Sequence, residues 1–290
     1  MKNKKKQITV LGGSGYIGSH LCDLLTQKGY NVNIFDIKKR RNQIKKNQKM
    51  YLGNLMQKKR LNNAIKKSNY VYNFAALSNI DYASSKPFKS ALINILGTIN
   101  VLEICKKNNV KKLIHASSIY ANSEQGGFYG CSKKASEDYI ERFNDKFNLK
   151  FTILRFGSLY GGRASSDNGL QKLIDVAKKK NKIIYSGTSR AARRYIYIDD
   201  ACSACLESIK KKYDNKYLTV TGNKKIKIIK VVEIIKKTLK IPSNKTKFLN
   251  TKDNTHYINE PKIYKLRVGE ILKIKSKVSF RKKIKELLIK

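Results

Sequence analysis

Along the chain, short runs of β-branched and aromatic residues alternate with longer stretches whose apolar positions recur every three or four residues. That alternation is the signature of βαβ units on a parallel sheet. It predicts strands over Gln7–Leu11, Asn31–Asp36, Tyr70–Phe74, Lys112–Ala116 and Phe151–Phe156, with helices over Ile17–Lys28, Ser90–Asn108 and Tyr129–Phe147. After Gly157 the rhythm loosens. A helix over Gly169–Lys180, short strands over Ile183–Tyr185 and Tyr195–Ile198, and a helix from Asp200 follow, then helices near Ile228–Leu239 and Phe280–Ile289. No Pro/Gly-rich linker and no internal repeat is found. The expected division is a sheet domain over 1–157, with 187–212 packing back on it, and a smaller lobe from 158–186 and 213–290.

Composition narrows the class. The 290 residues are 41% apolar, enough for a sizeable core, which argues against disorder. No run approaches the roughly 20 apolar residues that span a bilayer, and the first residues lack a signal peptide's apolar stretch. A cytoplasmic protein with no membrane partner is expected. Of the five cysteines, Cys202 and Cys205 form a C-x-x-C without a second ligand pair, so small buried residues are expected there and no metal. The net charge is +43, but of the 63 cations 52 are Lys and only 11 Arg, spread over the whole chain. Nucleic-acid interfaces favour Arg for bidentate contacts, so a lysine-coated surface is expected rather than a nucleic-acid partner. Such a surface raises encounter rates with anionic substrates.

The opening segment carries the first chemical signal. Ile8-Thr9-Val10-Leu11-Gly12-Gly13-Ser14-Gly15-Tyr16-Ile17-Gly18 reads as strand, glycine turn and helix start. Gly12 permits the turn, Gly15 lets backbone approach a pyrophosphate, and Gly18 allows close helix–strand packing. Free N–H groups and the helix dipole then favour phosphates. Asp36 ends the next strand, 18 residues after Gly18, where a carboxylate accepts both ribose hydroxyls and repels a 2′-phosphate. The expected cofactor is therefore NAD, although the following Lys38-Lys39-Arg40-Arg41 would suit that phosphate.

The second signal is Tyr129-Gly130-Cys131-Ser132-Lys133. Positions four apart share one helix face, so Tyr129 and Lys133 point the same way. A phenol titrates near 10, and a neighbouring ammonium together with the nicotinamide charge would bring it toward the working range of a general base. Ser117 and Ser118 lie at the carboxyl end of a strand, the edge where α/β sheets bind ligands.

With these motifs the chain resembles the NAD-dependent epimerase/dehydratase family, the extended short-chain dehydrogenases, from about Gln7 to Glu207. The resemblance implies a Rossmann-like doubly wound parallel sheet with a smaller C-terminal substrate-binding lobe. It implies cofactor contacts at Gly12, Gly15, Tyr16, Ile17, Gly18, Asp36, Asn54, Leu55, Phe74, Ala75, Ala76, Asn94, Tyr129 and Lys133. It further implies catalysis by Ser118, Tyr129 and Lys133, and substrate contacts at Ser78, Ser117, Ser158 and Arg193. The expected reaction is 4-epimerisation of a UDP-sugar through a 4-keto intermediate, carried out by a homodimer. A keto-sugar reductase or dehydratase of the same family is the alternative, and a non-catalytic RNA-binding descendant of the fold is the rival from another class. The sequence departs from the family in a short Ser118–Tyr129 interval of 11 positions, in Ser158 where asparagine is usual, and in Arg194 where Asp is usual.

Overall fold

The protein is described by a computed structural model covering residues 6–40, 44–249, 270–271 and 278–289. Thirteen strands are assigned among them: β1 (Gln7–Leu11), β2 (Asn31–Asp36), β3 (Gln48–Leu52), β4 (Tyr70–Asn73), β5 (Lys112–Ser118), β6 (Lys150–Phe156), β7 (Ser158–Tyr160), β8 (Ile183–Tyr185), β9 (Ala192–Tyr197), β10 (Lys216–Val220), β11 (Lys225–Lys227), β12 (Thr246–Phe248) and β13 (Glu270–Ile271). The main sheet runs β13-β10-β6-β5-β4-β1-β2-β3, and every pairing in it is parallel.

A parallel sheet buried on both faces needs apolar residues at successive positions rather than at alternate ones. The chain supplies them. Ile8, Val10, Ile34, Tyr72, Ile114 and Leu154 belong to a core on one face, with Leu21, Leu25, Ala201 and Cys205 from the helices Tyr16–Gln27 and Ile198–Glu207. Leu11, Phe35, Val71, Leu113 and Ile153 belong to the core of the other face, with Leu61, Leu102 and Ile140 from Lys58–Ile65, Gly97–Lys107 and Gly127–Phe147. Two polar strand residues on that face are satisfied together: Thr9 Oγ1 and Asn33 Nδ2 both donate to the Ala64 carbonyl at 2.7 Å.

The doubly wound sheet expected from the sequence is present, and besides the short β13 at its edge two strands join it that the sequence reading passed over. One is β3, an edge strand with weak alternation. The other is β10, which pairs with β6 and so extends the main sheet, although 213–290 was assigned to the smaller lobe. Much of that assigned segment lies outside the described residues. The Cys202/Cys205 pair lies buried on Ile198–Glu207, with both thiols free and pushed up by burial. Pro87–Lys107 is long and apolar enough, by length and composition, to cross a membrane, which the sequence reading also passed over; half of its apolar window is buried inside the fold.

A third core gathers Tyr160, Leu170, Ile174, Ile183, Val231, Ile235 and Ile284. It lies beneath a small sheet of β11-β9-β7 and a two-stranded pair of β12 and β8. The helices Gly169–Lys180, Ile228–Leu239 and Phe280–Ile289 cover it and match their expected bounds. Asn168 caps the first of these by accepting from Gln171 N.

One buried ion pair ties the helix that carries Tyr129 to the sheet. Arg155 on β6 donates through Nε and Nη2 to the two oxygens of Glu137, at 3.0 and 2.7 Å, with both residues under 5% exposed. The guanidinium also stacks 4.4 Å from the Tyr217 ring centre. Removing one partner of such a pair strands a buried charge, which costs more than the pair contributes. Glu137→Gln is expected to lose about 3–5 kcal/mol in urea unfolding, and Glu137→Leu/Arg155→Met less than half of that. Equal losses in the two proteins would show that the cost is one of packing, not of charge.

Candidate active site

The order of the main sheet reverses between β1 and β4, and at their carboxyl ends opens a cleft of about 1990 Å³. Such a switch point is where open α/β sheets hold ligands, because the loops diverge there. Gly12 adopts a left-handed φ of +78°, and a Cβ on it would lie 2.6 Å from Ala75 N. A Cβ on Gly18 would lie 2.2 Å from the Gly12 carbonyl oxygen. Neither position admits a side chain, so the helix from Tyr16 starts hard against the turn. Gly15 precedes it with no side-chain cap on the first-turn N–H groups. Those uncapped amides at the positive end of the helix dipole fit a dinucleotide's pyrophosphate.

The Asp36 carboxylate is aimed by the turn itself. It accepts from Ser14 N at 2.9 Å and Lys38 N at 3.1 Å, and it borders the same cleft. Asn54, Leu55, Phe74, Ala75, Ala76, Tyr16 and Ile17 also line it. Asn54 Oδ1 already accepts from Met56 N at 2.9 Å. Asn94 does not join them. It sits 2% exposed in a π-helical segment, Ala91–Leu96, with Oδ1 accepting from Leu77 N and Nδ2 donating to Leu77 O and Ser132 Oγ. The expected cofactor contact is corrected: the side chain is spent behind the wall, fixing the 75–79 loop.

Ser118, Tyr129 and Lys133 come together at the centre of the cleft. The Ser118 side chain draws the Tyr129 phenol's pKa down, but burial is the larger effect and raises it to about 12. The Lys133 ammonium lies 5.9 Å from the Tyr129 ring centre and donates to the Ala116 carbonyl at 2.8 Å. Burial lowers its pKa to about 8, with the Glu137 carboxylate opposing. The expected lowering of the phenol is therefore not built into the protein alone, because desolvation outweighs the neighbouring hydroxyl. His115, buried on β5, is held neutral by burial and then by the Lys133 charge.

The other end of the cleft mixes predicted and unpredicted residues. Ser78, Ser158 and Arg193 line it, whereas Arg194 is not in its wall and donates to Asn223 O. Strand alternation on β9 explains the choice, since Arg193 and Tyr195 share a face. Ser117 reaches the wall with its Oγ buried and without a hydrogen-bond partner, while Ser118 Oγ accepts from Tyr120 N at 3.2 Å. The sequence reading missed Lys172, Lys180 and Lys182, which add positive charge to the cleft wall, and Arg163, which lines it while paired with Asp23. Nothing in a chain with 52 lysines marks those few out.

Glycine turn, ribose-directed acid and Tyr/Lys/Ser cluster in one cleft define a dinucleotide-dependent enzyme of the short-chain dehydrogenase architecture. The profile of the NAD dependent epimerase/dehydratase family matches residues 8–219, and the chain belongs to that family. It is 30% identical over 249 residues to a Methanocaldococcus jannaschii protein provisionally named a UDP-glucose 4-epimerase, covering 79% of this chain and 81% of that one. It is 28% identical over 235 residues to the dTDP-D-glucose 4,6-dehydratase of Dictyostelium discoideum, covering 69% and 54%. Among solved structures, the Thermotoga maritima UDP-glucose 4-epimerase with UDP-glucose superposes with a TM-score of 0.83 at 22% identity, covering 98% of this chain and 97% of that one. The family is NAD-dependent.

Burial of Lys133 has a measurable consequence. Its pKa falls from 10.5 in the unfolded chain to about 8, so between those values the unfolded state binds more protons and stability rises with pH. Lys133→Met keeps the stem and removes the ammonium. It is expected to melt higher than the wild type near pH 7, with the gap narrowing by about pH 9.5. A lower melting temperature near pH 7 would mean that the bond to Ala116 outweighs the burial cost.

Proposed function

We propose that the protein interconverts the C4 epimers of a UDP-linked sugar through a 4-keto intermediate, in the cytoplasm. The observation that carries this reading is the gathering of Ser118, Tyr129 and the Lys133 ammonium in the cleft that the glycine turn and Asp36 open onto. In this reading Gly12, Gly15 and Gly18 admit the pyrophosphate and Asp36 takes the ribose hydroxyls. NAD, when bound, supplies hydride acceptance from C4 and its return, and its nicotinamide ring adds positive charge to the cleft.

Tyr129, as phenolate, takes the C4 hydroxyl proton, keeps it while the keto-sugar turns over, and gives it back. Lys133 favours the phenolate through its charge. Ser118 holds the sugar oxygen in line with Tyr129. Arg193, in the cleft wall, pairs with the diphosphate. Dehydration would need an acid and a base at C5 and C6. After Ser118 come Ile119 and Tyr120, and among the described residues the acids lining the cleft are Asp36, Asp81 and Asp167. Asp36 serves the ribose in this reading, and Asp167 accepts from Asn79.

The same reading makes the protein a homodimer. Phe88 and Leu96, and Phe128, Tyr139 and Phe147, leave large apolar side chains exposed on two helices that pack side by side, Phe88 by 79%. A self-complementary apolar face suits a two-fold contact.

Tyr129→Phe removes only the hydroxyl. It is expected to lower kcat by about 10²–10⁴ while leaving NAD affinity by calorimetry unchanged. Arg193→Lys is expected to raise KM for the UDP-sugar and spare NAD binding, since an ammonium cannot reproduce a bidentate contact. Near-normal turnover in Tyr129→Phe would remove the mechanism.

A further inference from the structure

The run Lys38-Lys39-Arg40-Arg41 begins two residues after Asp36, and a guanidinium at that place would be a bidentate partner for the 2′-phosphate of NADP. Lys38, Lys39 and Arg40 border the cleft next to Asp36, while Arg41 lies outside the described residues. Arg40 nevertheless turns inward. Its side chain is 1% exposed, and its Nη2 donates to Asp23 Oδ2 at 2.6 Å and to the Ser19 carbonyl at 3.1 Å. Its Nη1 donates to Gln48 Oε1 at 3.0 Å. Nε is buried without a partner.

We propose that Asp23 is a positioning residue for cofactor choice: with Gln48 it withholds the Arg40 guanidinium from the ribose end of the cleft, leaving Asp36 to set the preference for NAD. The holding groups are themselves fixed. Gln48 Nε2 donates to Cys22 O at 3.2 Å and Thr26 Oγ1 at 3.0 Å, so its amide is oriented by the same helix that carries Asp23. Asp23 also pairs with Lys45 at 3.2 Å and Arg163 at 2.9 Å, so it is one carboxylate among three cations. Burial opposes its charge, but these partners hold its pKa at about 2, so it stays ionised throughout the neutral range.

With the carboxylate gone, Arg40 would be a buried cation with only neutral partners, a costly state that a long, flexible side chain relieves by moving to water. The nearest open space is the cleft it already borders. Lys38 and Lys39 are exposed point charges and lack the fork that makes a guanidinium a strong phosphate ligand.

Calorimetric Kd values for NAD and NADP, measured on full-length variants without substrate, test this apart from any activity. Asp23→Asn is expected to tighten NADP binding about tenfold, close to 1.4 kcal/mol, with NAD little changed. The gain is expected to vanish in Asp23→Asn/Arg40→Gln and to be absent from Arg163→Ala, which loses another Asp23 pair without freeing Arg40. Arg40→Gln alone is expected to leave both affinities at the wild-type level, because the group it removes is already withheld. An Asp23→Asn protein that folds with an unchanged NAD/NADP ratio overturns the proposal, and so does weaker NADP binding in Arg40→Gln. Should Asp23→Asn fail to fold, Gln48→Met loosens the same guanidinium and Arg40→Gln still decides. All these outcomes are read from cofactor binding, so they stand whichever sugar the protein takes.

Discussion

Backbone meets backbone at Gly12, and the cleft is shaped by how little room is left there. The turn after β1 touches the chain leaving β4 at Ala75, and the helix from Tyr16 crosses the turn at Gly18, with no space for a Cβ at either contact. Those approaches hold β1 and β4 side by side while the chain leaves them toward opposite faces of the sheet, which opens the crevice at the switch point. Asp36 is aimed from the same turn through Ser14 N, and the 75–79 loop is held from behind by Asn94. A methyl group at Gly12 or Gly18 would therefore disturb the cofactor end and the sugar end together.

The cluster proposed to carry the chemistry sits where the fold is least comfortable. Lys133, His115 and Tyr129 are all pushed by desolvation toward their neutral forms, and a buried ammonium beside a neutral imidazole gives the core no stability. Their burial has a chemical use. In a water-poor site a single positive charge acts on the phenol far more strongly than it would in solvent. Glu137 and Arg155 anchor the helix one turn beyond Lys133, so the strain is carried by an element pinned to the sheet.

Much of this was legible because it is local. The Tyr129/Lys133 spacing follows from the helix period, the glycine turn from its motif, and the choice of Arg193 over Arg194 from the resemblance to the family. The amphipathic helices Gly169–Lys180 and Ile228–Leu239 followed from their pattern and were found with their expected bounds. What was not legible depends on partners far apart in sequence. Asn94 reads as a polar residue near a cofactor, and only the fold shows its amide facing Leu77. Arg40 reads as part of a basic run, and only the fold brings Asp23 and Gln48 to it. The strand β10 was missed because the lysine-rich chain around Lys216–Val220 leaves a short apolar signal, and the lysines lining the cleft vanish into the same background.

The central claim is that hydride leaves and returns to C4 of one sugar within one cleft. Proton NMR of UDP-hexoses incubated with the protein in D₂O tests it directly. The account predicts that the C4 epimer accumulates to a constant ratio with protium retained at C4, since the hydrogen never exchanges with solvent. A 4-keto-6-deoxy product, deuterium at C4, or no conversion of any UDP-sugar would contradict it.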